Sequence, residues 1–346
     1  MSYVQVYNEW DPLEEIIVGI VDNAQFPQYD LSFHATFYED CAAVDVPSGS
    51  IKKKIVEETR EDLENLVDVL QKRGVHVRRP KAVDTRKQFS SLHWQTNGFS
   101  NYCPRDILLA IGNTIIETPS PVRARYFETH AYKEILMTYF KNGSQWIAAP
   151  KPQLLDSMYD LESKKLCLQN HEPAFDAANV LRLGKDLLYL VSNTANEAGY
   201  QWLSRIMGEQ YTIHPCYDIY NHTHIDTTFI PIGPGQMIVN GSRVHPDNLP
   251  AILKSWEIIY FTDIVDIGFF CGGTRGCASE WIGLNFLMIN PHLAIVEKKQ
   301  LPLIKTLEKL GIDIIPLSMR HARSLGGGFH CVTLDTRRKG SLKSYF

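Results

Sequence analysis

The chain has 346 residues, 44% of them hydrophobic, with 35 basic against 39 acidic side chains. This is enough apolar material for a large core and too little clustered basic charge to track a nucleic-acid backbone. No apolar run approaches the roughly 20 residues of a membrane helix, and the start, Met1 to Trp10, lacks the basic and apolar regions of an export signal, so a cytoplasmic protein is expected. Seven cysteines (41, 103, 167, 216, 271, 277 and 331) are scattered without a C-x-x-C pair, which argues against a disulfide scaffold or a zinc site.

In chain order, an apolar run at 13–19 reads as the first strand. Ser50 is placed to cap a helix whose Ile51, Ile55, Leu63, Leu66, Val67 and Leu70 recur at near-helical spacing; Gly74 stops it before a strand at 75–80. A unit then repeats: apolar run, tight turn, apolar run, helix, strand. Hairpins fall at 107–111 with 114–117, at 180–183 with 187–190, at 228–232 with 236–239, and at 285–289 with 293–296. The helices that follow are predicted at 130–142, 198–207, from an Asn248 cap to Trp256, and at 302–310, leading to strands at 146–150, 211–215, 258–261 and 312–316.

A fifth hairpin pairs the strand after Cys331 with 13–19, so the two ends of the chain share one unit. Strand-strand-helix-strand units of this size cannot bury their own faces, and closing them in a ring removes free sheet edges. The expected fold is therefore an α/β propeller with fivefold pseudosymmetry, of five ββαβ units, with residues 1–346 as one domain. Two separate α+β domains would need a Pro-, Gly- or Ser-rich linker near the middle, and none is obvious.

Chemistry-bearing residues precede the hairpins. Asp106 stands before the first, Asp176 before the second, His224 and Asp226 before the third, Ser279 and Trp281 before the fourth, and Cys331 before the fifth. Equivalent units would point all of them at one mouth of the ring. Each alone has an ordinary reading: an aspartate at a turn, a surface histidine, a buried thiol. Cys331 is distinguished by Gly326, Gly327 and Gly328, which allow close approach of a ligand just before a strand fixes the sulfur. His224 and Asp226, two apart in a segment read as extended, should share a face. No P-loop is present, and the glycine run leads into a strand rather than a helix, so neither a nucleotide nor a metal cofactor is expected.

Nearly the whole chain resembles the arginine amidinotransferases, through the stretch from Tyr7 to Glu15, Pro104-Arg105-Asp106, Phe175-Asp176-Ala177-Ala178, His224-Ile225-Asp226 and the run from Gly326 to Cys331. The family includes glycine amidinotransferase and the inosamine-phosphate amidinotransferases. It adopts a fivefold α/β propeller of the pentein type, in agreement with the repeat. The resemblance is nearer to the bacterial members, in 102–106, in Asn179 to Arg182 continuing to Leu187 to Ser192, and in Val265 to Phe269.

The resemblance implies transfer of the amidino group of L-arginine to an acceptor amine, with release of L-ornithine. Cys331 would be the nucleophile, His224 the acid and base, and Asp176 its orienting partner. Asp106 and Asp226 would grip the guanidinium, and Arg243 with Ser279 the α-carboxylate. Asn221, Thr223 and Ala278 would also contact substrate. Thr223 stands where the glycine enzyme has a larger Met, and Ala278 where it has one of two adjacent serines, which argues for an acceptor other than glycine, an aminocyclitol phosphate or another specialised-metabolite amine. Recognition of a phosphate would need a cationic pocket, for which Arg275 is a candidate. Glycine as acceptor, hydrolysis of arginine to citrulline and an inactive interaction propeller are the competing readings. Relatives are often homodimers.

Overall fold

The computed structural model of the protein describes residues 3–269 and 276–346. Five three-stranded sheets follow one another along the chain, and in each the first two strands are antiparallel while the third runs parallel to the second. The first blade joins the chain ends: Thr333–Arg338 pairs with Leu13–Val18, which pairs with His76–Arg78. The second contains Leu108–Ile111, Thr114–Glu117 and Gln145–Ala148; the third Val180–Leu183, Asp186–Leu190 and Thr212–Cys216. The fourth contains Phe229–Gly233, Gln236–Asn240 and Glu257–Phe261, and the fifth Leu287–Asn290, Leu293–Glu297 and Asp313–Leu317. These are the five units read from the repeat, four of them with an α-helical crossover and the fourth blade with a 3-10 turn in its place.

Strand periodicity explains why the hairpins read as continuous apolar runs. Successive side chains of a strand face opposite ways, and in a ring both faces meet a neighbouring blade. In the third blade Leu187 and Tyr189 pack with Leu109, Ile111 and Ile116 of the second, whereas Leu188 and Leu190 pack with Phe229, Met237 and Val239 of the fourth. Ile16 and Val18 of the first blade likewise meet Leu287, Ile289 and Ile295 of the fifth, which closes the circle.

Helices at Lys53–Lys72, Lys133–Lys141, Glu197–Met207 and Leu301–Lys309 make the crossovers. Three local expectations fail. Ser50 is no cap; it forms a two-residue ladder with Gln25, and the helix begins after Lys52 without a side-chain cap. The predicted helix from Asn248 is only the 3-10 turn Ala251–Ser255, because Asn248 instead staples the preceding loop, accepting from His245 N and donating to the Arg243 carbonyl. The 130–142 helix begins as a 3-10 turn, Glu128–Tyr132. Among the described residues no helix is long and apolar enough to cross a membrane.

Candidate active site

Near the ring axis, first strands of several blades are joined by buried charge. Arg182 grips Glu9 with Nε and Nη2 at 2.7 and 2.6 Å and reaches Asp335 Oδ1 at 2.7 Å and the Ala110 carbonyl at 3.1 Å. Arg105 also donates to Asp335, and Arg338 links Asp335 to the Met288 carbonyl. This fixed hub positions the loops that precede the hairpins.

Cys331 lies in a turn directly before Thr333–Arg338. The short helix Ala322–Leu325 ends at Gly326 in the left-handed region, with φ of 80°. A Cβ on Gly327 would stand 2.5 Å from Cys103 Sγ and 3.2 Å from Cys331 Cβ, and one on Gly328 would meet the Asn285 side chain at 2.8 Å. The glycines thus admit the neighbours that fix the turn: Asn285 Oδ1 accepts from Cys331 N at 2.9 Å, while Asn285 Nδ2 donates to Asp226 Oδ2 at 2.9 Å. The thiol itself donates to Asp226 Oδ2 at 3.1 Å.

His224 closes the other side. Its Nε2 lies 3.0 Å from Asp176 Oδ2, and its Nδ1 lies 3.7 Å from Asp106 Oδ1. The remaining oxygens, Asp176 Oδ1 and Asp106 Oδ1, are buried without a hydrogen-bond partner, while Arg125 Nη1 donates to Asp106 Oδ2 at 2.7 Å and is itself clamped by Glu128. Arg243 donates to the hydroxyls of Thr227 and Thr228 at 3.0 and 2.9 Å and to Ser279 Oγ at 3.3 Å, and its guanidinium lies 3.5 Å from the centre of the Tyr220 ring. That stacking, favourable for a planar cation, holds the fork in place.

The electrostatics follow from this packing. Burial would depress His224, but Asp106, the hydrogen bond and charge of Asp176, and Asp226 together raise it to about 9. Burial, reinforced by Asp226 and Asp106, raises the Cys331 thiol well above its ordinary value. Asp226 is pushed up by burial, yet the hydrogen bond and charge of His330, with His224 and the thiol, hold it well below the carboxylate range. Asp106 is raised by burial, against the lowering action of His224 and Arg125. At neutral pH the site therefore pairs a neutral thiol with a charged imidazole.

A narrow cavity of about 30 Å³ is lined by Cys331, His224, Asp226, Thr223, Ala278 and Ser279, with Tyr220 and Thr227. Asp106 and Asp176 stand behind His224, and Arg243 behind Thr227 and Ser279. Asn221 is not a wall residue of this cavity; its carbonyl accepts from Asn193 N. Trp281 does not reach the mouth but packs on the apolar layer between the fourth and fifth blades. The segment holding His224 and Asp226 is a turn, with Thr228 N and Phe229 N both donating to the Ile225 carbonyl, not the extended run expected, although both side chains reach the cavity. Arg275 lies outside the described residues. Sequence reasoning missed Asn285, Arg125, Tyr220 and His330; Asn285 alone left a signal, as the polar residue that opens the otherwise apolar run 285–289. Among the described residues no group of His, Cys, Asp and Glu is placed to hold a metal.

The chain is 49% identical over 348 residues to inosamine-phosphate amidinotransferase 1 of Streptomyces glaucescens, with 100% of this chain and 99% of that protein covered. It belongs to the amidinotransferase family. The solved inosamine-phosphate amidinotransferase of Streptomyces griseus superposes with a TM-score of 0.97 at 47% identity, covering 100% of this chain and 99% of that one. SxtG, an amidinotransferase of Microseira wollei in the saxitoxin biosynthetic pathway, gives 0.89 at 40% identity with 99% of each chain covered. Dimethylarginine dimethylaminohydrolase from Pseudomonas aeruginosa shares the pentein propeller, with a TM-score of 0.61 at 11% identity. No protein-family model matches.

Proposed function

We propose that this amidinotransferase takes its amidino group from L-arginine, carries it on Cys331, releases L-ornithine and delivers the group to a specialised-metabolite amine larger than glycine. The observation that carries this reading is the placing of the Cys331 thiol 3.1 Å from Asp226 in a cavity closed by the His224–Asp176 pair at 3.0 Å.

A guanidinium resists attack because its charge is delocalised, so the nucleophile must be a thiolate. The groups that hold the thiol neutral are, after burial, the carboxylates Asp226 and Asp106. A guanidinium cation bound to them would cancel that effect, so the donor itself promotes loss of the thiol proton to solvent. Asp226 and the unpartnered Asp106 oxygen would accept its N–H groups, while Arg243 and Ser279 would take the α-carboxylate.

Attack of the thiolate on the cationic guanidinium carbon gives a neutral tetrahedral adduct. Charged His224 then gives its proton to the nitrogen that becomes the amine of ornithine; the C–N bond breaks and a cationic amidino-cysteine remains. Neutral His224 next removes a proton from the acceptor amine as it attacks the same carbon, and collapse restores the thiolate. Asp176 keeps the ring oriented through both halves.

Room for a larger acceptor is supported by a second cavity of about 380 Å³ that shares Tyr220, His222, Cys277, Ala278 and Ser279 with the first. Six cysteines among the described residues are free, consistent with a reducing cytoplasm, where a nucleophilic thiol survives. A homodimer, expected from the relatives, is checked by light scattering in solution.

Mass spectrometry after mixing with arginine tests the reading. The wild type should gain one amidino group and release ornithine, and Cys331→Ala should gain none; an undiminished adduct in that variant, or citrulline as the product, would reject it. A panel of amines scored by ornithine release then identifies the acceptor.

A further inference from the structure

We propose that His330 is a positioning residue for Asp226: clamped between Asp226 and Glu9, its ring joins the guanidinium-binding carboxylate to the charge hub on the ring axis and keeps it ionised. The inference rests on the reading of Asp226 as a donor-binding group given above.

The geometry is two-sided. His330 Nδ1 lies 2.9 Å from Asp226 Oδ2, and Nε2 lies 3.3 Å from Glu9 Oε2. Both oxygens also take other donors, from Cys331 and Asn285 on Asp226 and from Arg182 on Glu9. Yet a neutral imidazole could donate to only one of the two carboxylates and would turn a bare nitrogen lone pair to the other, whereas a ring with N–H on both nitrogens meets both. Its backbone is fixed as well, since the His330 carbonyl accepts from Arg105 Nε at 2.8 Å. Glu9 cannot yield, because Arg182 holds both of its oxygens. The ring is thus a strut between an immobile cluster and the mouth of the site.

What it holds is one oxygen of Asp226. Oδ2 receives donors from Cys331, Asn285 and His330, whereas Oδ1 has no hydrogen-bond partner among the described residues and remains for a guanidinium. Burial drives this carboxylate toward protonation, and after burial the hydrogen bond and charge of His330 are the largest influences on it. The other titratable or charged groups that act on Asp226 are His224 and Cys331, with Arg243 coupled to it from the far side; Arg105 and Arg182 face Glu9. Of these, His330 and Cys331 hydrogen-bond Asp226, and only His330 can bring a positive charge with that bond. Without it, the upward push of burial on Asp226 would be less opposed, and its hold on the donor cation would weaken at higher pH than in the wild type.

The test is His330→Gln, which keeps an amide donor and loses the charge. Thermal melting should show a folded protein. Plotted against pH, kcat/KM for arginine, read as ornithine release, should show its acid limb moved upward by about one to two pH units, the worth of one charge-assisted hydrogen bond. The loss at low pH should fall on KM, and activity should recover toward the wild type as pH rises. An acid limb that stays in place overturns the inference even if turnover drops at every pH. Should the variant not fold, nitrogen-15 spectra of histidine-labelled wild type decide: hydrogens on both His330 ring nitrogens at the assay pH support the proposal, and a neutral tautomer overturns it. A wild type that releases no ornithine defeats the donor reading instead, and the spectra still judge the strut.

Discussion

His224 carries its proton at neutral pH because three carboxylates outweigh the cost of burying it, and Asp176 contributes both a hydrogen bond and charge. Asp176→Asn retains the shape and removes the charge. The imidazole should fall from about 9 toward the ordinary value near 6.5, so the alkaline limb of the first half-reaction moves to lower pH, and turnover should drop by roughly 10²–10⁴-fold. The stability change has a definite sign. A histidine raised on folding contributes fully below roughly pH 6.5 and loses that contribution as pH passes about 9; melting temperatures of the wild type should decline across this window and those of the variant less so. Equal slopes would remove Asp176 from the account. Asp226→Asn makes two measurements move in opposite directions. Losing the carboxylate that lifts the thiol should speed alkylation of Cys331 by iodoacetamide at neutral pH, about tenfold for each unit of pKa recovered, while ornithine release falls by roughly 10- to 150-fold with the lost charge-assisted bond. Slower alkylation would mean that Asp226 activates the thiol rather than restraining it.

At the scale of elements, the glycine turn before Thr333–Arg338 decides where the sulfur stands. Gly327→Ala would drive a methyl against Cys103 Sγ, and overpacking of this kind costs about 1–3 kcal/mol. Cys103→Ala in the same chain removes the obstructing sulfur, so the double variant should be less destabilised than the two single variants added together, as measured by urea unfolding. Relief should be partial, because the Tyr102 ring and Cys331 Cβ also stand within 3.2 Å of the new methyl. Simple additivity would show that the sulfur is not what excludes a side chain.

The same turn marks what could be read from the chain alone. Hairpins were legible because tight turns such as Gly112-Asn113 and Gly184-Lys185 interrupt apolar runs that stay buried on both faces. That Cys331, Asp106, Asp176, His224 and Asp226 come together was legible because each stands within five residues before its hairpin. The helix from Asn248 was misread because a good capping residue is equally good at stapling a loop, and sequence does not say which carbonyl it will find. Arg125, Tyr220 and His330 escaped because their roles lie in side-chain contacts outside any local motif, across 19 positions for Arg125 with Asp106, 23 for Tyr220 with Arg243 and 321 for His330 with Glu9.

For the whole molecule, closure of the ring depends on burying ions where the blades meet. Arg182 reaches Glu9, Asp335 and the second blade at once, so Arg182→Met leaves two buried carboxylates short of a partner. Breaking a buried pair in this way costs about 3–5 kcal/mol, although replacing every partner by apolar groups can be neutral. Both carboxylates are buried, which raises them, yet Arg182 and the neighbouring cations hold Glu9 and Asp335 well below their ordinary values. Groups depressed on folding contribute stability above their unfolded values near pH 4 and lose it as pH falls through the folded ones. Removing Arg182 raises the folded values, so the midpoint of acid unfolding should move to higher pH, together with a lower Tm at neutral pH. Circular dichroism along an acid titration of wild type and variant measures this directly; coincident curves would show that the arginine cluster does not hold the ring shut.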